Sequence, residues 1–396
     1  NSANQFIVFD HEDNFQNRAK AAFWLNLLFG VLAVIIGLMI AAPASRFFNE
    51  PEFQCVFQVM VLRFPFEAMT RIYDAINHKE LHFRNIQIRD TAIQLAAGGS
   101  SIGMAFAGYG VWSLVVPLLL LAPFQLLVAV IGTGWRPGWN PGLRHWPRIL
   151  NYTKSIVGSI ITSFILTHGD TIIVGKLLGS ALLGVYNLSW QISNLVGRTI
   201  VSGGNQLFFP MLATVGAHQG LLTKKLKSLL QILSAVTFPP LIVLFVLAED
   251  FILTVYGERW IAAVIPLQIL IVYAIRYSIG SPLGAVLKVL GRPDLIFKMT
   301  LYAVPVYLIA VWIGCSYGIV GVALGVTLVR TIVGVISFIV VAKQLEVTTA
   351  SLLVPIRSGL LAAVTMGFFL YAIKFSFVGA SEVAGAIRLS LLFLAG

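Results

Sequence analysis

The sequence predicts an all-α membrane protein that crosses the bilayer many times. Of its 396 residues, 58% are hydrophobic and 11% are charged, whereas a soluble globular chain carries about 25% charged residues. The mean hydropathy is +0.88, and the apolar residues form runs long enough to cross about 30 Å of hydrocarbon. These observations exclude a soluble fold. They also exclude nucleic-acid binding as the explanation for the net charge of +11.

Each apolar run of about 20 residues is a predicted span. Eleven runs qualify, and a shorter apolar run that begins near Val383 is interpreted as part of a twelfth. The predicted spans are 21–43, 53–73, 90–108, 110–133, 153–175, 181–211, 229–248, 260–287, 299–315, 318–342 and 352–373.

The basic residues alternate between the two sides of the predicted membrane. When the loops are numbered alternately from the N-terminal segment, 18 of the 27 Lys and Arg residues, Arg89 among them, fall in one set and 4 in the other. Basic residues collect in cytoplasmic loops. The N-terminal segment is therefore predicted to be cytoplasmic, and the basic loops are expected to attract anionic membrane lipids.

An internal repeat indicates two helical bundles. Segment 56–61 resembles 266–271, 80–84 resembles 294–298, and 108–111 resembles 316–319, at offsets of 210, 214 and 208 residues. The spans within 21–133 thus correspond to those within 229–342, in parallel topology. The pair 153–175 and 181–211 has no counterpart in the first half, so two further helices are expected before Asn1.

This correspondence predicts four regions along the chain. Residues 1–133 form a partial N-terminal bundle of four spans, and 134–152 form a cytoplasmic linker. Residues 153–343 form a C-terminal bundle of six spans, and 344–396 carry additional spans that are expected to be cut short at Gly396. The glycines of G-x-x-x-G at Gly99 and Gly321 are expected to let helices pack closely.

We single out six charged side chains inside the predicted spans, because charges are costly there and usually face a cavity or the bundle interior. They are Arg63, Glu67, Asp170, Arg198, Arg276 and Arg330. Four guanidinium groups against two carboxylates favour phosphate or pyrophosphate as the ligand, because arginine binds these anions with two parallel hydrogen bonds. Arg63 and Glu67 are four residues apart on one helix, so the alternative is that they neutralise each other.

Polar side chains form one stripe along the predicted helix 181–211. The stripe is about 27 Å long, because its members follow one another in steps of three and four. It consists of Asn187, Gln191, Asn194, Arg198, Ser202 and Asn205. We interpret it as the wall of a solvated substrate cavity, with hydrogen bonding between helices as the alternative.

The patterns typical of enzymes are missing from the sequence. The six histidines and two cysteines show no metal-ligand spacing, and no nucleophile lies beside a general base in a recognisable pattern. The protein is therefore expected not to be an enzyme and to need neither a metal nor an organic cofactor.

Three segments carry a family resemblance. They are GDTIIVGKLLG at 169–179, LGVYNLSW at 183–190 and LFFP at 207–210, with shorter matches at 47–52, 110–114 and 291–295. They resemble the polysaccharide-export branch of the multidrug/oligosaccharidyl-lipid/polysaccharide exporter superfamily, whose members are Wzx-type flippases. The resemblance covers nearly the whole chain and implies that it is truncated at both ends.

The resemblance implies a two-lobed transporter of the bacterial inner membrane. It would flip undecaprenyl-pyrophosphate-linked oligosaccharides for surface polysaccharide synthesis by alternating access, beside a polysaccharide polymerase. Arg198, Arg276, Arg330 and Arg63 would then hold the pyrophosphate or acidic sugars, and Asn187, Gln191 and Asn194 would bind sugar hydroxyls. Asp170 and Glu67 are candidates for coupling to H⁺ or Na⁺. The alternatives are a cation-coupled multidrug antiporter of the same superfamily and a membrane glycosyltransferase or ligase.

Overall fold

The fold is known from a computed structural model, which describes residues 15–80, 82–138, 141, 143, 146–216 and 218–377. Within these ranges, only the backbone is described for 15–18, 79, 83, 148–163, 166, 196–200, 202–207, 209, 210, 213 and 375–377. Every regular element within the described ranges is a helix. The predicted all-α class is therefore confirmed.

The chain divides into two compact units between Phe164 and Ile165. The first unit contains α1 Phe15–Phe48, α2 Pro51–Val61, α3 Phe64–Lys79, α4 Phe83–Phe106 and α5 Trp112–Thr133. Helix α6, Trp146–Ala213, begins in the first unit and ends in the second. The division falls inside the predicted span 153–175, and the finer predicted division into bundle, linker and tail remains a prediction.

The second unit continues with seven further helices and two short 3₁₀ turns. The turns are Glu258–Ala263 and Val354–Ile356. The helices are α7 Gln219–Val246, α8 Ala248–Val255, α9 Val264–Val289, α10 Pro293–Cys315, α11 Gly318–Gln344, α12 Thr349–Leu353 and α13 Arg357–Phe377.

The predicted span 53–73 is broken into two helices, α2 and α3, of 11 and 16 residues. Pro65 lies in the first turn of α3, where a missing backbone N–H costs nothing. In the interior of one long helix the same proline would remove a hydrogen bond and clash with the preceding turn. The break at Leu62 and Arg63 avoids this cost and leaves Arg63 at the N-terminus of α3.

Helix α6 consists of two helical arms, 146–178 and 180–213, that run in opposite directions. Gly179 between them has φ 84° and ψ 172°, a conformation open essentially to glycine alone. The hydroxyl of Tyr186 lies 2.9 Å from the carboxylate of Asp170, whereas sixteen residues of continuous helix would separate their backbones by about 24 Å. The chain therefore reverses at Gly179, between the two predicted spans.

The protein is a multi-pass membrane protein. Eight helical segments of the described part are long and apolar enough to cross a membrane. Large apolar side chains on them are widely exposed, as with Met39 at 72% and Phe368 at 76%, which suits lipid rather than water. Among the predicted spans, 53–73 is divided into the short helices α2 and α3, and α4 begins with charged residues. Of the two arms of α6, only the stretch Thr167–Leu195 is described continuously, and it counts once.

The repeat predicted from the sequence is present in both units. In chain order, α1 corresponds to the pair α7 and α8, and the pair α2 and α3 corresponds to the first 3₁₀ turn together with α9. Helix α4 corresponds to α10, and α5 corresponds to α11. The packed pairs recur as well: α1 with α3 and α7 with α9, α3 with α5 and α9 with α11, α4 with α5 and α10 with α11. Two left-handed positions, Asn49 and Gly110, recur 208 residues later at Gly257 and Gly318.

Close packing of glycines is confirmed for one of the two G-x-x-x-G sequences. A Cβ placed on Gly325 of α11 would lie 2.8 Å from the carbonyl oxygen of Ala310 in α10, and one placed on Gly321 would overlap Gly314. At Gly99 and Gly103 no described atom lies within 4 Å of such a Cβ. The expectation of close packing is therefore wrong for α4 within the described residues.

Candidate functional site

The carboxylate of Asp170 lies inside a buried cluster of the second unit. Asp170 is 2% exposed; its Oδ2 accepts a hydrogen bond from the Tyr186 hydroxyl and its Oδ1 accepts one of 2.8 Å from the backbone N–H of Thr171. Arg330 and Tyr307 also interact with this carboxylate electrostatically. The predicted ion-coupling acid is thus hydrogen-bonded and close to a cation.

Three aromatic rings surround the guanidinium group of Arg330. Its Cζ lies 4.9 Å from the ring centroid of Tyr307, 5.2 Å from that of Tyr273 and 5.3 Å from that of Trp190. Its Nη1 donates a 3.1 Å hydrogen bond to the Tyr273 hydroxyl, and its Nη2 donates a 3.3 Å bond to that of Tyr307. Each cation–π contact contributes about 0.5–2 kcal/mol, so Arg330 is held firmly within the unit.

The rings that form this cage come from three different helices. Trp190 belongs to the second arm of α6, Tyr273 to α9 and Tyr307 to α10, while Arg330 itself is on α11. Trp190 and Tyr273 are stacked, with centroids 5.4 Å apart and planes inclined by 14°. A cation near the middle of α11 therefore ties α6, α9 and α10 together.

Arg276 has a different environment from Arg330. It lies near the midpoint of α9, is half-buried, and its guanidinium group rests on Gly334 of α11, where any Cβ would overlap it. The Nε atoms of Arg276 and Arg330 are alike in having no hydrogen-bond partner among the described residues. The two side chains differ at Nη1 and Nη2, which in Arg330 donate hydrogen bonds to tyrosine hydroxyls. Tyr273 and Tyr277 interact favourably with this guanidinium group of Arg276, but no carboxylate among the described residues pairs with it. Placing a charge at the centre of a membrane helix costs about 2.5–3.5 kcal/mol, so Arg276 marks a candidate site.

The polar stripe on the second arm of α6 is only partly described. Gln191 is exposed and Asn187 is half-buried. Asn194 is 5% exposed, and its Nδ2 donates a 2.8 Å hydrogen bond to the carbonyl oxygen of Trp190 in its own helix. This bond lies within one helix, so it is not the hydrogen bonding between helices that the alternative interpretation expects. The side chains of Arg198, Ser202 and Asn205 lie outside the described residues.

In the first unit, Arg63 and Glu67 form an ion pair, with Arg63 Nε 2.8 Å from Glu67 Oε1. Both side chains line a cavity of about 300 Å³ between α3, α4 and α5. The carboxylate therefore neutralises the guanidinium group, as the alternative stated for this pair in the sequence analysis expects. Arg63 therefore differs from Arg276, which has no carboxylate partner among the described residues.

A second charged network in the same unit was not predicted. Arg89, counted above among the loop residues, lies inside α4 and is 6% exposed. Its Nη2 lies 2.7 Å from Asp74 Oδ1 and 2.7 Å from Asp90 Oδ1, and Gln125 of α5 donates a 3.2 Å hydrogen bond to Asp90. The assignment of Arg89 to a loop is therefore wrong, because α4 begins at Phe83 and its two carboxylate partners compensate the buried charge.

The aromatic cage around Arg330 was also not predicted from the sequence. A signal for it was present: Trp190 lies one helical turn after Tyr186, and Tyr273 lies one turn before Arg276. Aromatic residues one turn from a polar group in an apolar helix share its face. Their contact with Arg330 depends on packing between helices, which this local pattern does not specify.

The charged groups of the second unit are suited to binding an anion. Within the described residues, no three His, Cys, Asp or Glu side chains are grouped so that they could hold a metal ion. The second unit presents a guanidinium group at Arg276 that has no carboxylate partner among the described residues, and a guanidinium group at Arg330 that is surrounded by aromatic rings. Such groups can bind an anion and fix its orientation.

The sequence matches known families and proteins. Residues 4–265 match the profile of the family described as "Polysaccharide biosynthesis protein". The chain is 25% identical to the lipopolysaccharide biosynthesis protein WzxC of Escherichia coli, over 81% of this chain and 66% of WzxC. It is 24% identical to the teichuronic acid biosynthesis protein TuaB of Bacillus subtilis, over 93% of this chain and 77% of TuaB. The chain thus spans about two thirds of WzxC.

Two solved structures share the fold. The lipid II flippase MurJ, in an inward closed conformation, matches with a TM-score of 0.76 at 14% identity, over 99% of this chain and 85% of MurJ. A multidrug transporter of the MATE family, in an outward-facing conformation, matches with a TM-score of 0.55 at 15% identity, over 87% of this chain and 82% of that one. At these identities the likeness concerns the fold alone.

Proposed function

The chain belongs to the polysaccharide biosynthesis protein family, and from this premise we propose that it flips lipid-linked oligosaccharides across a membrane. The proposed substrate is an undecaprenyl-pyrophosphate-linked repeat unit of a surface polysaccharide, carried from the cytoplasmic to the outer leaflet by alternating access. The protein would act as a transporter and not as an enzyme, in keeping with the flippase and transporter folds that it shares.

The observation that supports this proposal most directly is the positive charge inside the second unit. Arg276 and Arg330 lie near the midpoints of two membrane helices, and the nearby acid Asp170 already accepts hydrogen bonds. A cationic drug would be repelled by such a pair, whereas a pyrophosphate group would be attracted.

The proposed roles of individual residues follow from their surroundings. Arg276 and Arg330, together with Arg198, supply positive charge for the pyrophosphate or for acidic sugars. Gln191 and Asn187 offer hydrogen bonds to sugar hydroxyls. Asn194 and Arg63 are weaker candidates, because each already has a partner in the structure.

We propose that an H⁺ or Na⁺ gradient drives transport and that no organic cofactor takes part. Asp170 is the first candidate for the coupling group and Glu67 the second. If Asp170 couples transport to the gradient, Asp170→Asn abolishes the dependence of transport on the gradient. If the carboxylate is only structural, the same substitution lowers the rate of transport and leaves that dependence in place.

The proposed location is the bacterial inner membrane, with the N-terminal segment and the 134–152 linker in the cytoplasm. The partners would be membrane lipids, the lipid-linked oligosaccharide and a polysaccharide polymerase that consumes the flipped units. The distribution of basic residues supports this orientation. Labelling of single cysteines from the outside tests it, since a cysteine placed in the linker should react only after the membrane is permeabilised.

The experiment uses a bacterial strain that lacks its own flippase for a defined polysaccharide. The full protein, Arg276→Gln and Arg330→Gln are expressed, with Arg259→Gln as a matched control because Arg259 is exposed on the first 3₁₀ turn. Surface polysaccharide and the lipid-linked repeat accessible from the outside are measured. Membrane levels of each variant are compared by blotting.

We expect the full protein and Arg259→Gln to restore polysaccharide, and Arg276→Gln to reduce it at least about tenfold, the size expected for losing a charge-assisted hydrogen bond. Absence of rescue by full protein present in the membrane would refute the proposal. The alternative, a cation-coupled multidrug antiporter, predicts instead that the full protein exports cationic dyes.

A further inference from the structure

The cavity between α3, α4 and α5 of the first unit is lined by charged side chains that already neutralise one another. Three guanidinium groups face three carboxylates, as Arg63 with Glu67, Arg71 with Asp74, and Arg89 with Asp74 and Asp90. All of these residues line the cavity except Arg89, which is buried against the two aspartates. The charges therefore cancel, and a molecule bound in this cavity needs no charge of its own.

Two glutamine side chains add hydrogen-bonding groups to this lining. Gln94 of α4 is exposed and forms no hydrogen bond with a described residue. Gln125 of α5 donates a 3.2 Å hydrogen bond from Nε2 to Asp90 Oδ1, and no described donor reaches its Oε1. An amide offers both N–H donors and a carbonyl acceptor, so the lining can donate to hydroxyl groups and accept from them.

The rest of the lining is mainly apolar and encloses a small volume. It consists of Thr70 and of the apolar side chains Ile93, Ala97, Leu118, Leu121 and Ala122. The cavity measures about 300 Å³, which is at the lower end of the range for small-molecule pockets. A single sugar ring matches this lining, because it carries hydroxyl groups around its edge and C–H groups on its faces.

We infer that this cavity is a sugar-binding site, which takes one uncharged pyranose ring of the lipid-linked substrate. Gln94, Gln125 and Asp90 bind the hydroxyl groups, and Ile93 and Ala97 pack against the ring. An acidic sugar is disfavoured, because it would add an unpaired charge to a set of charges that already cancel. The inference rests on the proposed function for the source of the sugar, and it assigns no part of the pyrophosphate to this cavity.

Binding is measured with the full protein purified in nanodiscs. The probes are polyprenyl pyrophosphates that carry glucose, galactose or N-acetylglucosamine, one that carries glucuronic acid, and one without sugar. The variants are Gln94→Leu, which removes the amide, and Ala97→Leu, which fills part of the cavity. Gln87→Leu and Ala96→Leu are the matched controls, because both residues are exposed on the same helix and neither lines the cavity.

We expect wild type to bind at least one of the three neutral sugar lipids more tightly than the lipid without sugar, and glucuronic acid to give no such gain. Gln94→Leu should reduce the gain about three- to tenfold, the size expected for losing a neutral hydrogen bond. Ala97→Leu should abolish it, and the two controls should leave it unchanged. All four variants should bind the lipid without sugar as wild type does.

The methyl glycoside of the preferred sugar, added as a competitor, distinguishes a free sugar from a lipid-linked one. Competition supports the site and shows that the ring alone suffices. Without competition, a loss in Gln94→Leu that is confined to the sugar-bearing lipid supports the site and assigns it to the lipid-linked form.

Equal affinity of wild type for the lipid without sugar and for all three neutral sugar lipids would overturn the inference. Tighter binding of the glucuronic acid lipid than of every neutral one would overturn it too, as would equal losses in Gln94→Leu and Gln87→Leu. Because Gln94 is exposed and bonded to no described residue, Gln94→Leu tests the site even if Ala97→Leu fails to fold.

The same variants separate this inference from the proposed function. If Gln94→Leu loses the sugar-dependent gain but the full protein restores no polysaccharide, the sugar site stands and the proposed function fails. If the full protein restores polysaccharide and Gln94→Leu binds the sugar lipids as wild type does, the proposed function stands and the sugar site fails.

Discussion

Tyr186 and Asp170 face each other across the reversal at Gly179, joined by a buried hydrogen bond of 2.9 Å from the tyrosine hydroxyl to Oδ2 of the aspartate. This bond fastens the second arm of α6 to the first. The same carboxylate lies beside Tyr307 and Arg330, so the hairpin is linked electrostatically to the aromatic cage.

Replacement of Tyr186 by Phe should destabilise the protein by about 1–3 kcal/mol, because it removes the donor and leaves a buried carboxylate oxygen unsatisfied. The measurement is the free energy of unfolding in mixed micelles. Tyr302→Phe is the matched control, since Tyr302 is 74% exposed on α10. An effect no larger than that of the control would contradict the role given to this bond.

Gly179→Ala tests the reversal of α6 through the sign of its effect. At φ 84° and ψ 172°, alanine is strained and should destabilise the protein by about 1–3 kcal/mol. In a continuous helix the same change would stabilise it, by about 1 kcal/mol. Gly184→Ala, where an added Cβ meets open space, is the control, and thermal unfolding of the purified variants gives the comparison.

The ion pair of Arg63 and Glu67 predicts a non-additive result. The side chains are 25% and 33% exposed, so the pair is worth only about 0–1 kcal/mol of stability. Arg63→Gln and Glu67→Gln should each lower stability slightly, and the double variant should cost less than their sum. In polysaccharide rescue, Arg63→Gln should lose less than Arg276→Gln; the reverse order would show that Arg63 is the more important cation.

Arg89→Gln should be among the more destabilising changes in the first unit. Removing this buried partner leaves Asp90 without its ion-pair partner and leaves Asp74 with only the more exposed Arg71, 3.8 Å away, at a cost of about 3–5 kcal/mol. Arg84→Gln, an exposed arginine at the start of the same helix, serves as the control. Adding Asp74→Asn to Arg89→Gln should recover part of the lost stability, and a double variant as unstable as the single one would speak against the pairing.

Local patterns along the chain predicted the class and the repeat of this fold. Apolar runs marked the helices, and the reversal between 175 and 181 was expected because both flanking runs were long enough to span. The offset near 210 residues predicted which helices correspond. The break at Pro65 divided one predicted span into two helices, because an interior proline costs more than a new helix start.

The sequence by itself determined that charges lie within apolar helices and that arginines outnumber acids there. Only the tertiary structure decided which partner each arginine has. Arg63 pairs with Glu67, Arg89 pairs with two aspartates, and Arg330 contacts phenol hydroxyls and aromatic rings. Arg276 lies near tyrosines and has no carboxylate partner among the described residues. The physical reason is distance along the chain. Hydropathy and helical period are set by neighbours within a few residues, whereas Arg330 meets Tyr273 from 57 residues away, through packing that no local pattern encodes.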